Sequence, residues 1–214
     1  LQVKLRKTEK IMSYDIDNAY PQRMERLINS SITAKSCCDM MTRFIAGSGF
    51  QDKSLNDIIV GRDEWQKEVT AYKLLSQIAK SLAKFNGFYI RLQYDGNYDL
   101  SGMKLEPFKY CRFGETDSQD YAGRVALYND WEKEIKWNSD PEKFKWMYIF
   151  NPDKNVIKEQ IASKKNLKKY TGQIYFNFYD NEYLYPLSPI DPVLWEADTE
   201  SQIGKFKNGE LRRG

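Results

Sequence analysis

The sequence predicts an α+β fold, with helices first and short antiparallel strands after them. Through Leu82 apolar residues recur at helical spacing, and from Phe88 the period changes to two. Aromatic residues make up 14% of the 214 residues, led by 15 tyrosines, which suits pleated, half-buried strands. Helices grouped ahead of strands belong to the segregated class and not to an alternating α/β fold.

The elements follow in order. The first dozen or so residues are polar and expected to be loosely held. Tyr20-Pro21 opens a helix, because the N–H that proline lacks would be unsatisfied in the first turn anyway. Met24, Leu27 and Ile28 share one face of it. Asn29-Ser30-Ser31 interrupts, with Ser31 placed to cap a second helix. That helix carries Ala34, Cys38, Met41 and Ile45 inward and ends at Gly47-Ser48-Gly49. Asp63 is expected to cap the longest helix, residues 64–86. Trp65, Val69, Tyr72, Ala79 and Leu82 keep its period, and Gly87 stands at its end.

Phe88, Ile90, Leu92 and Tyr94 then alternate with Tyr89, Arg91 and Gln93, so one face of a strand is buried. Asp95-Gly96 signals a hairpin whose return passes Met103 and Leu105 to Pro107, and Lys109 to Phe113 makes a further strand. Arg124 to Trp131 and Glu134 to Trp137 read as another hairpin around Asn129-Asp130. Trp146 to Phe150 is a short strand closed by Asn151-Pro152-Asp153, and Val156 to Ile161 fits either a strand or a short helix. Lys164 to Lys169 is a charged loop, and Gln173 to Tyr179 is a strand. Pro186, Pro189 and Pro192 prevent regular structure until Val193. From there a helix with Leu194, Ile203 and Phe206 apolar runs to about Lys207. The organisation is an α+β domain over 1–192 and the beginning of a further helix over 193–214.

Composition narrows the function. The chain has no histidine, which removes the commonest general base and the Ser-His-Asp and Cys-His nucleophile systems. Cys37, Cys38 and Cys111 are odd in number, lack metal spacing and read as reduced thiols. Neither GxxxxGK[ST] nor GxGxxG occurs. Asp117, Asp120, Asp180 and Glu182 sit in turns, as solvated carboxylates do. No enzymatic activity, metal or cofactor is therefore expected. The longest apolar run, Trp146 to Phe150, is far short of the roughly 20 residues of a membrane span, and the N-terminus lacks a signal-type apolar region. The chain opens on Leu1 and not Met, which is expected of a portion of a longer product.

A net charge of +3 provides no gross attraction for nucleic acid, so contact would depend on local placement. Two basic clusters qualify. One is Lys164 to Lys169. The other is Lys205, Lys207, Arg212 and Arg213, near a helix end where cations also offset the dipole. Tyr175, Phe178 and Tyr179 raise a different possibility, stacking of bases or sugars.

Several short segments, in order, resemble the phage portal protein family, specifically portals of phages and prophages of Bacteroidetes. Tyr20-Pro-Gln-Arg leads through Asn29-Ser30-Ser31 to Ile45-Ala-Gly-Ser-Gly-Phe50. Ala83-Lys-Phe-Asn-Gly-Phe-Tyr89 then runs into Ile90-Arg-Leu-Gln-Tyr-Asp-Gly96, and Leu105-Glu-Pro-Phe-Lys-Tyr-Cys-Arg112 follows. Phe150-Asn-Pro-Asp153, Tyr170-Thr-Gly-Gln-Ile-Tyr175, Tyr185-Pro-Leu-Ser-Pro189 and a helix reaching Asn208-Gly209 complete the series.

The resemblance implies a wing-like α+β part over 1–192 and the start of a stem-like helix, with the chain stopping before a clip. It also implies a structural subunit of a homo-oligomeric, commonly dodecameric ring at the capsid vertex of a virion, assembled in the bacterial host cytoplasm. Such a ring guides double-stranded DNA in packaging and ejection and docks the terminase and head-completion proteins. Lys205, Lys207, Arg212 and Arg213 become DNA-channel candidates. The alternative expectation is an aromatic-rich, β-containing binding module for single-stranded nucleic acid or glycan.

Overall fold

The computed structural model describes residues 2–7, 10–63, 65–117, 119, 122–132, 144–164, 169–179 and 184–211. The fold is α+β, as the patterning predicts. The helices are α1 (Tyr20–Ser30), α2 (Ile32–Ala46), α3 (Ala71–Phe85), α4 (Lys154–Ser163) and α5 (Leu194–Leu211). The first strands form two small hairpins, β1 (Leu5–Arg6) with β2 (Ile11–Met12) and β3 (Ile59–Arg62) with β4 (Glu68–Thr70). The remainder are β5 (Gly87–Tyr94), β6 (Leu100–Glu106), β7 (Cys111–Phe113), β8 (Arg124–Leu127), β9 (Lys145–Ile149) and β10 (Gln173–Phe178). These six form one sheet in the order β6-β5-β10-β9-β8-β7, antiparallel except between β9 and β10.

That order bends the sheet. Strands β6 and β7 are its two edges, yet only Pro107 to Tyr110 join them, and three of those four residues form a 3-10 turn. Six flat strands would separate the edges by about 24 Å. The connection spans about 17 Å at most, even if fully extended. The sheet must therefore curl toward itself, and the rings inside it show that it does. Phe113 of β7 lies 4.9 Å from Phe176 of β10 and 6.1 Å from Tyr89 of β5. Phe108, Phe178 and Met147 complete this aromatic interior, and Tyr14, Tyr20, Met24 and Tyr185 pack onto it.

Many helix signals act as expected. Pro21 stands in the first turn of α1, and the Ser31 hydroxyl accepts the Ala34 N–H to cap α2. Met24 and Ile28 are buried, and Gly47 ends α2 with a positive φ of 51°. Val156 to Ile161 is helical, within α4, whose N-cap Asp153 accepts the Asn155 N–H.

Other expectations are corrected. The N-terminal segment is docked, with Ile11 fully buried and Ser13 N–H donating to the Lys4 carbonyl. Helix α3 begins at Ala71, capped by the Thr70 hydroxyl, and not near residue 64. Asp63 accepts the N–H groups of Trp65 and Lys67 and so shapes the β3–β4 turn, where Gln66 has φ 62°. Val69 is thus buried from a strand, and Trp65 is 77% exposed.

In α2 the inward set is Ala34, Cys38 and Ala46; Met41 is half-buried and Ile45 exposed. The left-handed residue after α3 is Asn86, and Gly87 already belongs to β5. Gly87 must be small for another reason, since a Cβ there would lie 2.5 Å from Phe178 Cδ1. Strand β5 is buried on both faces, with Tyr89 inside the curl and Ile90 and Leu92 outside it. The Asp95-Gly96 hairpin is real, but its loop runs to Asp99 and is closed by Asp95 N–H donating to the Asp99 carbonyl. Strand β8 pairs with β7 and β9, while Glu134 to Trp137 lie outside the described residues.

Arg112 ties the N-terminal segment to this frame. It is fully buried, and its Nε donates to Asn18 Oδ1 at 2.5 Å. Its Nη groups donate to the carbonyls of Lys109, Cys111 and Asn18 and to Gln22 Oε1. The rings of Tyr14 and Trp131 flank it at 5.4 and 5.3 Å. Arg112→Ala is expected to cost about 3 kcal/mol or more, because a charged donor network is lost and its acceptors stay buried. Arg112→Lys should recover little of that, as an ammonium lacks the planar fork. Urea unfolding midpoints at unchanged m-value check both; a lysine variant as stable as the parent would refute the role of the fork.

Candidate functional site

Helix α5 docks through small residues. Ala197 and Ser201, four apart, are each 6% exposed, and Ala197 packs with Ile28, Ala34, Cys38 and Ile190. Small side chains allow the helix to approach the corner between α1 and α2 closely. Glu200 fixes the docking: its carboxylate accepts from the Ser31 hydroxyl, from the Thr33 hydroxyl at 3.1 Å and from the Thr33 N–H at 3.4 Å. The carboxylate therefore stands at the N-terminus of α2, where the helix dipole favours a negative charge.

A cleft of about 740 Å³ separates α1 from α5, lined among others by Tyr20, Arg23, Leu27, Asp191, Asp198 and Lys205. Its charges are largely matched. Arg23 binds Asp15 at 2.7 Å and also Asp17, Arg26 binds Glu132, and the Tyr20 hydroxyl donates to Asp191 at 2.7 Å. Burial, followed by the neighbouring Asp191 carboxylate, pushes the Tyr20 phenol well up, so it stays a neutral donor. The lining is therefore mixed in sign and not a basic channel wall. Among the described residues no three His, Cys, Asp or Glu side chains converge as metal ligands, and no helix is long and apolar enough to cross a membrane.

The predicted DNA-contact residues are not gathered into one patch. Lys205 lines the cleft and Lys207 is exposed on α5. Two positions apart on a helix, they point about 200° from each other. Arg212 and Arg213 lie outside the described residues, as do 165–168 of the other basic cluster and Asp120, Asp180 and Glu182. The proposed stacking set also divides: Phe178 is in the core, while Tyr175 and Tyr179 are exposed.

Sequence reasoning missed the open apolar surface of the helical side. On α2, Ile32, Met40 and Phe44 are 79%, 55% and 80% exposed. On α5, Trp195, Ile203 and Phe206 are 84%, 50% and 70% exposed. Met40 and Phe44, four apart and about 120° round the helix from Ala34 and Cys38, make α2 apolar on two sides, a pattern that marks a helix covered from both. Trp195, Ile203 and Phe206 lie within about 80° of one another round α5, and contiguous exposed apolar surface of this kind marks contact sites.

The fold and this surface define an α+β protein with a curled aromatic sheet and an uncovered helical face. No protein-family model matches the sequence, and neither does any curated protein. In fold, the chain is similar to a chain from the virion of a native gene transfer agent (GTA) particle, with a TM-score of 0.57 and 7% identity. The likeness covers 88% of this chain and 45% of that one, so this chain spans about half its length. At this identity the likeness is one of fold.

The Glu200 contact predicts a pH dependence. Hydrogen bonding by Ser31, opposed by desolvation and joined by Thr33, holds the carboxyl below its ordinary 4.5. Its contribution is fully present above about 4.5 and is lost as pH falls through the lower folded value. Glu200→Gln should flatten this acid limb, as seen in thermal unfolding between about pH 6 and about pH 3. Identical acid limbs in the two proteins would remove Glu200 from the docking account.

Proposed function

We propose that this chain is the wing-like part of a phage portal subunit, a structural component of a virion. The observation that carries this reading is the fold likeness, over 88% of the chain, to a chain of a gene transfer agent virion. The ordered portal-like segments from Tyr20-Pro21 to Asn208-Gly209 point the same way. Copies of the subunit assemble into a ring, commonly dodecameric in the family, at one capsid vertex. The ring guides double-stranded DNA, docks the terminase and head-completion proteins, and has no catalytic task of its own. Helix α5 begins the stem, and the uncovered apolar residues of α2 and α5 serve contacts between subunits, where aromatic and Met side chains are favoured. The low net charge suits a conduit, since DNA slides only where phosphates are held weakly.

Negative-stain electron microscopy of the full-length gene product carrying this segment tests the reading. Closed rings with a central hole are expected. Persistent monomers whose tryptophan fluorescence is quenched by oligonucleotides or oligosaccharides would favour the aromatic binding module instead. In a ring-forming product, Phe44→Glu with Trp195→Glu should abolish rings while changing monomer stability by only about 0.5 kcal/mol or less per substitution. Intact rings in that variant would exclude these residues from the interface. Lys205→Glu with Lys207→Glu should impair DNA packaging and leave the circular dichroism spectrum unchanged; normal packaging would take both lysines off the DNA path.

A further inference from the structure

A second cavity, of about 490 Å³, lies between the β3–β4 hairpin and strands β5 and β6. Its lining includes Arg62, Asp63, Gln66, Arg91, Gln93 and Lys104. Asp63 is the one carboxylate in that lining, engaged by two backbone N–H groups and by Lys73 at 3.7 Å, and Arg62 lies 3.7 Å from Glu68.

Arg91 is the central group. Its side chain is only 13% exposed, and its one acidic neighbour is Glu106, whose Oε1 lies 3.1 Å from Nε without hydrogen-bond alignment. The four N–H donors on its two Nη atoms have no partner among the described residues. By the β5–β6 register Lys104 stands beside Arg91 and Gly102 beside Gln93. Gly61 allows β3 to approach β6, since a Cβ on it would lie 2.4 Å from the Met103 carbonyl oxygen. The nearest atom to a Cβ on Gly102 would be Gln93 Oε1 at 3.3 Å, so a polar group borders the cavity there. Burial, and then the charge of Arg91, push the nearby Lys145 ammonium down, with Glu106 opposing and Lys104 adding to the shift.

We propose that this cavity is an oxyanion site for a phosphate or phosphodiester group, with the Arg91 fork as its anchor and Arg62 and Lys104 as supporting charges. Planar guanidinium donors match phosphate oxygens two at a time, and a nearly dry guanidinium without a hydrogen-bonded counterion gains most from one. Apart from Ile59 the lining offers no apolar wall, and it offers no aromatic ring. It therefore fits the charged group of a ligand and not a base or a sugar face. This inference stands apart from the virion reading: it requires no ring, and a ring does not require it.

Isothermal titration of the 214-residue chain with inorganic phosphate, pyrophosphate and a short DNA duplex at low salt tests it. Saturable binding of at least one probe is expected. Side-chain Nε–Hε NMR shifts at Arg91 should locate it. Arg62→Gln with Lys104→Gln, which leaves the Arg91–Glu106 pair in place, should weaken binding by about tenfold or more. Phosphate that competes with the duplex would identify the ligand as nucleic-acid backbone. Binding of the small anions alone would identify a free oxyanion. No saturable binding of any probe, unshifted Arg91 signals, or an unchanged affinity in the double variant would each overturn the proposal.

Discussion

One buried guanidinium organises the part of the molecule that carries its surfaces. A charge removed from water is costly unless its donors are met, and Arg112 meets them with neutral acceptors and two rings. The chain bends to supply those acceptors. Asn18 takes a left-handed φ of 61° and offers both its carbonyl and its side-chain oxygen, the latter also accepting the Tyr14 N–H. Gln22, one turn into α1, supplies another. The start of α1 is therefore fixed to β7, and α2 and α5 inherit their places from α1. Tyr185 adds a second tie, its hydroxyl accepting the Phe113 N–H and donating to the Met12 carbonyl. Burial raises the phenols of Tyr14 and Tyr185, so both remain neutral hydrogen-bonding groups at any pH the fold survives.

Where the controlling physics is local, the sequence is legible. Pro21, the Ser31 cap and Gly47 act through their own backbone neighbourhood, and each stands where patterning puts it. The failures are tertiary. Residues 64–70 carry helical periodicity, but Glu68 to Thr70 pair with β3, and the Thr70 hydroxyl then caps α3. Strand β5 alternates, yet its alternation conceals that Tyr89 faces the interior of a curled sheet. No pattern within β5 reports that β6 and β7 are joined by so short a link.

The candidate surfaces follow the same division. That α5 is a helix with apolar residues is readable; which of them remain outside is not, because that depends on Ala197 and Ser201 being the docked face. Lys205 and Lys207 look like one cluster in a linear sequence and are separated by the helical turn. Met40 and Phe44 were readable in principle, since a helix apolar on two sides already calls for a second covering. The Arg91 cavity could not be read at all. It is assembled from a hairpin and two strands, and it depends on Gly61 of β3 coming against the Met103 carbonyl of β6, far away in sequence.

The distribution of cations bears on how a polyanion would be handled. Several are answered within the fold: Arg112 by neutral acceptors, Arg23 by Asp15 and Asp17, Arg26 by Glu132, Lys109 by Glu25 and Lys154 by Asp99. Others, such as the Arg91 fork in its cavity and Lys205 and Lys207 on differing sides of α5, lie apart from one another. Affinity for duplex DNA grows with the number of phosphates neutralised at once, and its salt dependence scales with that number. In the proposed portal, a subunit whose open cations lie apart would engage only a few phosphates at any instant. Pairing Arg23, Arg26 and Glu25 with their neighbours ties α1 to its surroundings, and in the proposed portal it would also withhold the cations of those pairs from a passing polyanion.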